Sequence, residues 1–411
     1  MQCEASHRDS EMRCTMQDIF RAHYGEYEAS HRMHSRQTRA ASSISNCYTA
    51  QLGAHVLACP QGHFQQVQYH ACRHRSCPRC AQQGVHDWAQ AQLAQLLPCP
   101  HFHIIFTLPH ELLKLWEFNR ERLAQLLFDC VRLSLLELLH NPRHLGAMPG
   151  LLMSLHTWGR NLSHHPHVHC LLTAGGLDAQ QQWRDSRPGF AVPLKPLQMV
   201  FRGKFLGGLG QLLSERGLAL PPSLHEPHWR QLIGRLYKAH WNIEIRAPYA
   251  HGRGVALYLS RYVKGGPLPR DRPLEMRAHG NVRFSYTDHR DGRIKTMCLS
   301  ALEFIERVLW HAPPKGQHTV RRAGLYASAQ RGHHQIAKQR LQAPDAASKP
   351  PLTEAPTQAN ACPHASPPPS CPHCQRPLVR LPWHPWPSSA HQLGEFSIPT
   401  DLPTPWPPPS G

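Results

Sequence analysis

A short apolar stretch that carries alternating histidines constrains the fold of this chain more than any other part of the sequence. Residues 165–172 have the sequence HPHVHCLL. Because successive side chains of a β-strand point to opposite faces, His167 and His169 share one face and Val168 lies on the other. Two neutral imidazoles side by side on a strand form a ready pair of metal ligands. The chain contains 33 histidines in 411 residues, so a histidine-rich surface strand without a metal is the alternative.

The apolar pattern along the rest of the chain predicts an α+β domain with a mostly antiparallel sheet. Runs of β-branched and aromatic residues predict strands near residues 103, 169, 243, 283 and 296. Apolar residues at helical spacing predict helices over residues 16–27, 111–139, 201–213, 228–240, 255–264 and 301–311. Asp291 and Gly292 separate the last two strands, which indicates a hairpin with a tight turn.

A dense cysteine block occupies residues 47–80. Cys77 and Cys80 form a CxxC knuckle, and two thiolates at that spacing on a tight turn can share one tetrahedral zinc ion. The alternatives are a redox CxxC pair or unrelated buried thiols. The candidate zinc ligands are Cys59, His63, Cys72, Cys77 and Cys80, with Cys47 as a further candidate.

The charge of the chain favours a polyanionic partner, nucleic acid above all. Lys and Arg outnumber Asp and Glu by 45 to 27, which gives a net charge of +18. The longest apolar region, residues 123–139, contains three charged residues and predicts an amphipathic helix, so no membrane partner is expected. The N-terminus has no signal-peptide core, and a cytoplasmic location with reduced cysteines is expected. The candidate DNA contacts are Arg73, Arg75, Arg79, Arg261 and Lys264.

A pair of tyrosines gives the histidines a chemical role. Tyr258 and Tyr262 are one helical turn apart on the same face of the predicted helix. Both could also be residues at the edge of the core, because apolar residues share their spacing. With a metal-binding histidine pair in a basic protein, they match the needs of single-stranded DNA cleavage by covalent catalysis. The metal would polarise the scissile phosphate, and a tyrosine oxygen would attack it to give a phosphotyrosyl intermediate and a free 3′ hydroxyl.

Five motifs in this order resemble the rolling-circle transposases of the IS91 family, which are HUH endonucleases of bacterial insertion sequences. The resemblance covers roughly residues 15 to 340. The motifs are ACRHRSCPRC at 71–80, HFHIIFTLPHEL at 101–112, LHTWGRNLSHHPHVHCLLTAGGL at 155–177, YLSRYVKGGPL at 258–268 and VRFSYTDHRDGRIKTMCLSALEFIERVLWHAPPKG at 282–316. The resemblance implies a zinc-ribbon-like N-terminal module followed by an HUH domain with a five-stranded, mostly antiparallel sheet flanked by helices.

The resemblance also implies roles for individual residues. His167 and His169 are the metal ligands of the HUH motif, and Tyr258 and Tyr262 are the paired nucleophiles. His156, eleven residues before His167, is the expected third ligand for Mg²⁺ or Mn²⁺. The runners-up for that ligand are His165 and His103.

The zinc module departs from one common form of the family, in which the first knuckle is CxxC followed by Gly-His. Here Cys59 is followed by Pro-Gln-Gly-His63 without a second cysteine. Whether His63 takes the place of the missing thiol stays open at this stage.

Composition divides the chain into four segments. They are an N-terminal helical arm (1–46), a zinc-binding, DNA-binding module (47–98), an HUH catalytic domain (99–342) and a Pro-rich tail (343–411). The tail holds 19 of the 39 prolines and is expected to be mostly disordered. Within it Cys371 and Cys374, with Cys362 and His364 nearby, could hold a second zinc ion.

The sequence thus predicts a transposase that nicks and rejoins single-stranded DNA at the ends of an insertion sequence and at its target. It would carry a structural zinc ion and could act as a homo-oligomer bound to the bacterial nucleoid. The alternatives are a non-catalytic, zinc-dependent DNA-binding relic of such an element, and a plasmid relaxase or replication initiator of the same HUH class.

Overall fold

The computed structural model describes residues 12–82, 89, 91–222, 224, 226–250, 254–255, 266–270, 272–277, 280–288, 291–342 and 369–382. Most of the helix predicted at 255–264 falls outside the described residues, and so do Cys362 and His364. The chain forms two compact units. The first unit comprises residues 1–48 and 71–367, and the second comprises residues 49–70 and 368–411.

The described part of the chain contains both strands and helices, numbered here in chain order. The strands are β1 (Met12–Cys14), β2 (Ala54–Ala58), β3 (Gln65–Tyr69), β4 (His101–Thr107), β5 (Met148–Trp158), β6 (His164–Leu177), β7 (Trp183–Asp185), β8 (Ile243–Tyr249), β9 (Leu274–Arg277), β10 (Asn281–Thr287), β11 (Ile294–Ser300), β12 (Val320–Gly324) and β13 (Val379–Pro382). The helices are α1 (Met16–Ser30), α2 (Ser35–Asn46), α3 (Pro78–Gln82), α4 (Leu113–Phe118), α5 (Arg120–His140), α6 (Leu194–Ser214), α7 (Glu226–Lys238), α8 (Ala301–Trp310) and α9 (Arg331–Gln342).

The central sheet of the first unit has the strand order β12-β5-β6-β4-β8, and β7 pairs with the far end of β6. Every pairing along this path is antiparallel. The prediction of an antiparallel sheet is therefore confirmed, but its membership differs. The strands near 283 and 296 do form the predicted hairpin, β10 and β11, but they belong to a separate sheet with β1 and β9. Their places in the central sheet are taken by β5 and β12.

One face of the central sheet carries the main apolar core. Phe102, Ile104 and Phe106 of β4 lie on the same face as Val168 and Cys170 of β6, and all five are buried. Helices α5 and α6 cover this face. Helix α5 forms because its buried residues recur every four positions, as an amphipathic helix requires. These residues are Leu123, Leu127, Val131, Leu135 and Leu139.

A pair of glycines lets three strands meet at the end of β6. A Cβ atom on Gly175 would lie 2.6 Å from the backbone oxygen of Arg184 in β7. A Cβ atom on Gly176 would lie 2.6 Å from the backbone oxygen of Met148 in β5. Any other residue at either position would force backbone atoms apart, so glycine is required for this close approach.

The N-terminal helices belong to a second core within the first unit. Helix α1 begins with a capping box, in which Thr15 and Asp18 each bond the other's backbone N–H. Its residues Ile19 and Phe20 are buried in the same cluster as Phe304 of α8 and Phe284 of β10. Strand β1 pairs with β9. The predicted N-terminal arm is therefore packed into the first unit rather than standing apart.

The second unit has a three-stranded sheet with the order β13-β2-β3. Strand β13 comes from the Pro-rich tail and pairs antiparallel with β2, so that Val379 lies opposite Ala58. Residues 369–382, which contain the CxxC pair singled out within the tail, therefore belong to a sheet. Proline is tolerated at the end of β13 because an edge strand need not donate every N–H.

Candidate functional site

Three histidines meet on the face of the central sheet opposite the main core. His156 of β5 lies directly across from His167 of β6, and Ser154 lies across from His169. Residues paired across an antiparallel sheet point to the same side. The structure therefore brings the predicted third histidine, His156, beside the predicted pair.

The ring nitrogens of the three histidines converge. The Nε2 atoms of His167 and His169 are 3.1 Å apart. The ring centroid of His156 lies 4.5 Å from that of His169 and 5.4 Å from that of His167. One nitrogen from each ring lies within 4.8 Å of the others, and all three residues are buried. This arrangement is compact enough for a single ion.

Hydrogen bonds behind the rings set their orientation. His167 Nδ1 donates to the backbone carbonyl of His165, which leaves Nε2 with a lone pair directed into the cluster. His169 Nδ1 is 2.8 Å from His103 Nε2. When His169 is the donor of this bond, its Nε2 keeps a lone pair for the cluster as well. His165 and His103, the other two candidates for the third ligand, therefore contact the ligands from behind. His165 does so through its backbone carbonyl and His103 through its ring. Such outer contacts fix the tautomer of metal-binding histidines.

The surroundings favour the neutral form of His169, which is the form that binds a metal. Burial lowers the pKa of His169 well below its usual value, and His156, His167, His103 and Arg246 add to the effect. Burial, followed by the charge of Arg246, lowers the pKa of His103 to about 3.

Trp158 also belongs to this site, although the sequence pattern was not used to predict it. Its ring stacks on His156 with 4.5 Å between centroids and 15° between the planes. Two-residue alternation along β5 was the signal that could have found it, because residues 156 and 158 share a face.

Arg75 does not lie where a surface phosphate contact was expected. Its guanidinium donates to Thr319 Oγ1, lies 6.0 Å from the centroid of the Trp158 ring and has a buried Nη2 atom. Burial lowers the pKa of Arg75 to about 10. By contrast Arg73 and Arg79 are exposed, and Arg79 lies 4.4 Å from the centroid of the Tyr48 ring.

Four cysteines of the first unit form a tight cluster, which we call the first cysteine cluster: Cys47, Cys72, Cys77 and Cys80. The sulfur of Cys80 lies 3.5 Å from that of Cys47 and 3.5 Å from that of Cys72. Hydrogen bonding, first from Cys72, lowers the pKa of the Cys77 thiol to about 5. Burial raises the pKa of Cys47 to about 12. Four sulfurs at this spacing are typical of a structural zinc site.

The five predicted zinc ligands do not form one site. Cys59 and His63 lie in the second unit, where they meet Cys371 and Cys374 of the tail in a second cysteine cluster. Cys47, only a further candidate from sequence, takes the fourth place in the first cysteine cluster. Sequence spacing could not assign Cys59, because its partners lie more than 300 residues away.

The two tyrosines, Arg261 and Lys264 lie outside the described residues. The described residue that is nearest to the tyrosines in sequence is Val255, in a helical turn with Gly254. It is buried in one apolar cluster with Leu152 and Leu171. Leu171 lies two residues after His169 on β6, so this cluster borders the histidines on the same face of the sheet.

Comparisons with known proteins agree on one family. A family described as a putative transposase matches residues 150–333, and a transposase zinc-binding domain matches residues 19–108. A putative transposase, y4qJ, of Sinorhizobium fredii is 36% identical over 326 residues, which cover 76% of this chain and 80% of that protein. The transposase for insertion sequence element IS801 of Pseudomonas savastanoi pv. phaseolicola is 33% identical over 298 residues, which cover 71% of this chain and 70% of that protein.

No solved structure matches the chain. Among the described helices, none combines the length and the apolar character that crossing a membrane requires.

Proposed function

The chain belongs to the IS91 family of transposases, and on this basis we propose that it cuts and rejoins single-stranded DNA through a covalent phosphotyrosine intermediate. The observation that carries the proposal is the convergence of His156, His167 and His169 on one face of the central sheet. A buried cluster of three imidazoles suits a metal-assisted reaction on phosphodiesters.

The donor set fits a divalent ion. Two imidazole nitrogens bound to one ion at about 2.1 Å lie about 3.0 to 3.4 Å apart for bond angles between 90° and 109°. The observed 3.1 Å between the Nε2 atoms of His167 and His169 falls in this range. Without a cation or proton between them, these two lone pairs would repel each other. We propose Mg²⁺ or Mn²⁺, which when bound polarises the scissile phosphate and stabilises the charge on its oxygens.

Tyr258 and Tyr262 are the proposed nucleophiles. The buried position of Val255 beside the histidine face supports this assignment, because Tyr258 follows it by only three residues. The phenolate oxygen attacks the phosphorus atom, the bond from phosphorus to the 3′ oxygen breaks, and that oxygen leaves as a hydroxyl. The DNA 5′ end stays on the tyrosine, so rejoining needs no ATP.

The remaining residues position DNA rather than react with it. The first cysteine cluster holds the structural zinc ion that the zinc-binding domain requires, and this ion fixes the segment between Cys72 and Cys80. Arg73 and Arg79 are exposed on that segment and can contact phosphates. Arg261 and Lys264, next to the tyrosines in sequence, are the other proposed phosphate contacts.

The proposal is tested by incubating the purified chain with single-stranded oligonucleotides from the ends of its element and with Mg²⁺ or Mn²⁺. We expect a protein–DNA adduct that persists in denaturant. It should be lost in a Tyr258→Phe, Tyr262→Phe double variant and in His167→Ala. Tyr286→Phe, on β10, is the matched control and should keep the adduct.

Two outcomes would contradict the proposal in different ways. An adduct that survives in the double tyrosine variant would overturn the choice of nucleophiles. No adduct with the wild-type chain, although it binds the same oligonucleotides, would favour a non-catalytic, zinc-dependent DNA-binding protein.

A further inference from the structure

We propose that Cys59, His63, Cys371 and Cys374 bind a second structural zinc ion, which fastens the C-terminal tail into a zinc ribbon with the β2–β3 hairpin. One donor atom from each residue lies within 4.8 Å of the other three. The Cys59 and Cys374 sulfurs are 3.5 Å apart. Three thiolates and one imidazole form a usual ligand set for structural zinc. The zinc-binding family match ends at residue 108 and does not include the tail.

The two halves of this site have similar local shapes. Cys59 N donates to the carbonyl of Phe64, five residues later, at 2.8 Å. Cys371 N likewise donates to the carbonyl of Arg376, also five residues later, at 2.8 Å. Each turn contains one residue of positive φ, Gly62 (77°) in the first and Gln375 (60°) in the second. Turns of this kind direct neighbouring side chains to a common point, so each half is a knuckle prepared for a metal.

The strands around the site complete a ribbon. Strand β2 ends one residue before Cys59, and it pairs with β3 on one side and β13 on the other. Strand β13 begins five residues after Cys374. The metal ligands and the strand pairings therefore join the same two segments of the chain. Metal binding would bring β2 and β13 together, and pairing of β2 with β13 would bring the four ligands together. Metal binding and sheet formation are therefore coupled.

The described residues of the second unit form only a small apolar core, which is too small to hold the tail without metal. Its buried apolar cluster consists of Leu57, Cys59, Cys371 and Leu378, with Phe64 and Cys374 partly buried against it. Two of the four buried members are themselves proposed ligands. Domains with cores of this size depend on metals or disulfides for their stability.

The test is the zinc content of the purified full chain, measured by elemental analysis. We expect Cys371→Ser, Cys374→Ser to lose one equivalent of zinc per chain relative to wild type, and Cys59→Ser to lose the same equivalent. The matched control is Cys362→Ser, His364→Ala, which changes the neighbouring tail cysteine and histidine and should keep all the zinc. Retention of all zinc in Cys371→Ser, Cys374→Ser would overturn the proposal, and so would loss of one equivalent in the control.

A second measurement distinguishes the loss of a zinc ligand from misfolding of the variant. Cys374→His replaces one zinc ligand by another, so it should retain the metal that Cys374→Ser loses. Cobalt substitution should show a Cys₃His visible spectrum in wild type that becomes Cys₂His₂ in Cys374→His, while the Cys₄ spectrum of the first cysteine cluster stays unchanged. An unchanged total spectrum in Cys374→His would contradict the assignment. This proposal stands apart from the catalytic one, since zinc content is measured without DNA.

Discussion

The two cysteine clusters of this transposase use similar ligands in different surroundings. The first lies beside a large apolar core, where Cys47 and Cys77 are buried in the same cluster as Ile19, Phe304 and Leu309. In the second, ligands make up half of the buried apolar cluster. A zinc site can therefore be an addition to an apolar core, or it can replace one. Under the proposed metal assignments, the second unit should depend on zinc far more than the first.

Removal of metal should give the largest difference between the two regions. After treatment with a strong chelator, we expect the backbone amides of β2 to lose their protection from hydrogen exchange completely. The amides of α8, which packs in the core beside the first cysteine cluster, should change by less than about tenfold, which corresponds to about 1.4 kcal/mol. Hydrogen exchange read by mass spectrometry over peptides from each region provides the measurement. Equal loss of protection in β2 and α8 would show that the two regions do not differ in this way.

Two leucine truncations should affect zinc binding at the two cysteine clusters differently. A buried Leu→Ala change costs about 2 to 4 kcal/mol at either position. In Leu57→Ala this cost should appear as about 30- to 1000-fold weaker zinc binding at the second cysteine cluster, because folding and binding are linked there. In Leu309→Ala, zinc binding at the first cysteine cluster should change by less than about threefold, since that core stays folded.

The leucine experiment needs each cluster to be measured alone. Chelator competition, carried out in chains whose other cluster carries Cys→Ser changes, gives the two affinities separately. Equal weakening by both truncations would mean that the first cluster depends on its core as strongly as the second does.

The histidine cluster extends the same comparison to a site supported by rigid strands. His103 bonds His169 from behind, so His103→Ala should reduce the yield of covalent adduct by about 10- to 100-fold. His165 supports His167 through its backbone carbonyl, and His165→Ala keeps that atom. We therefore expect less than about a threefold change in His165→Ala. Adduct yield at limiting Mn²⁺ is the measurement, and recovery of His103→Ala at high Mn²⁺ would identify a positioning role.

The smallest expected effect concerns a helix cap near the first cysteine cluster. Ser300 Oγ accepts a hydrogen bond from Glu303 N at the start of α8. Ser300→Ala should lower the free energy of unfolding of the first unit by about 1 kcal/mol. Its zinc content should not change, because this core does not depend on the metal. Urea unfolding followed by tryptophan fluorescence gives the first quantity, and any loss of zinc in this variant would contradict the comparison.

Local patterns predicted the histidine strand well. Alternation placed His167 and His169 on one face, and β6 has that geometry because side chains that point to alternate faces are a property of the strand itself. The same reasoning predicted the hairpin of β10 and β11. It could not tell which sheet the hairpin joins, since that depends on packing between segments far apart in sequence.

The partners of Cys59 could not be predicted from the sequence for the same reason. A lone Cys–His pair at residues 59 and 63 carries no information about a knuckle at residues 371–374, and the prolines around that knuckle predicted disorder. The partly buried position of the Arg75 guanidinium could not be predicted from the sequence either. A basic residue between zinc-binding cysteines normally faces solvent, and only the position of Trp158 and Thr319 explains why this one does not.

The pairing of β2 with β13 has a consequence for how the protein is made. Strand β2 leaves the ribosome early, but its partner strand ends at Pro382. At about 5 to 20 residues per second, the roughly 320 residues between them take about 16 to 64 s to synthesise. During that interval Cys59 and His63 offer only half of a binding site. The ribbon can therefore close only after Pro382 has been synthesised, which makes it a marker of a chain that includes strand β13.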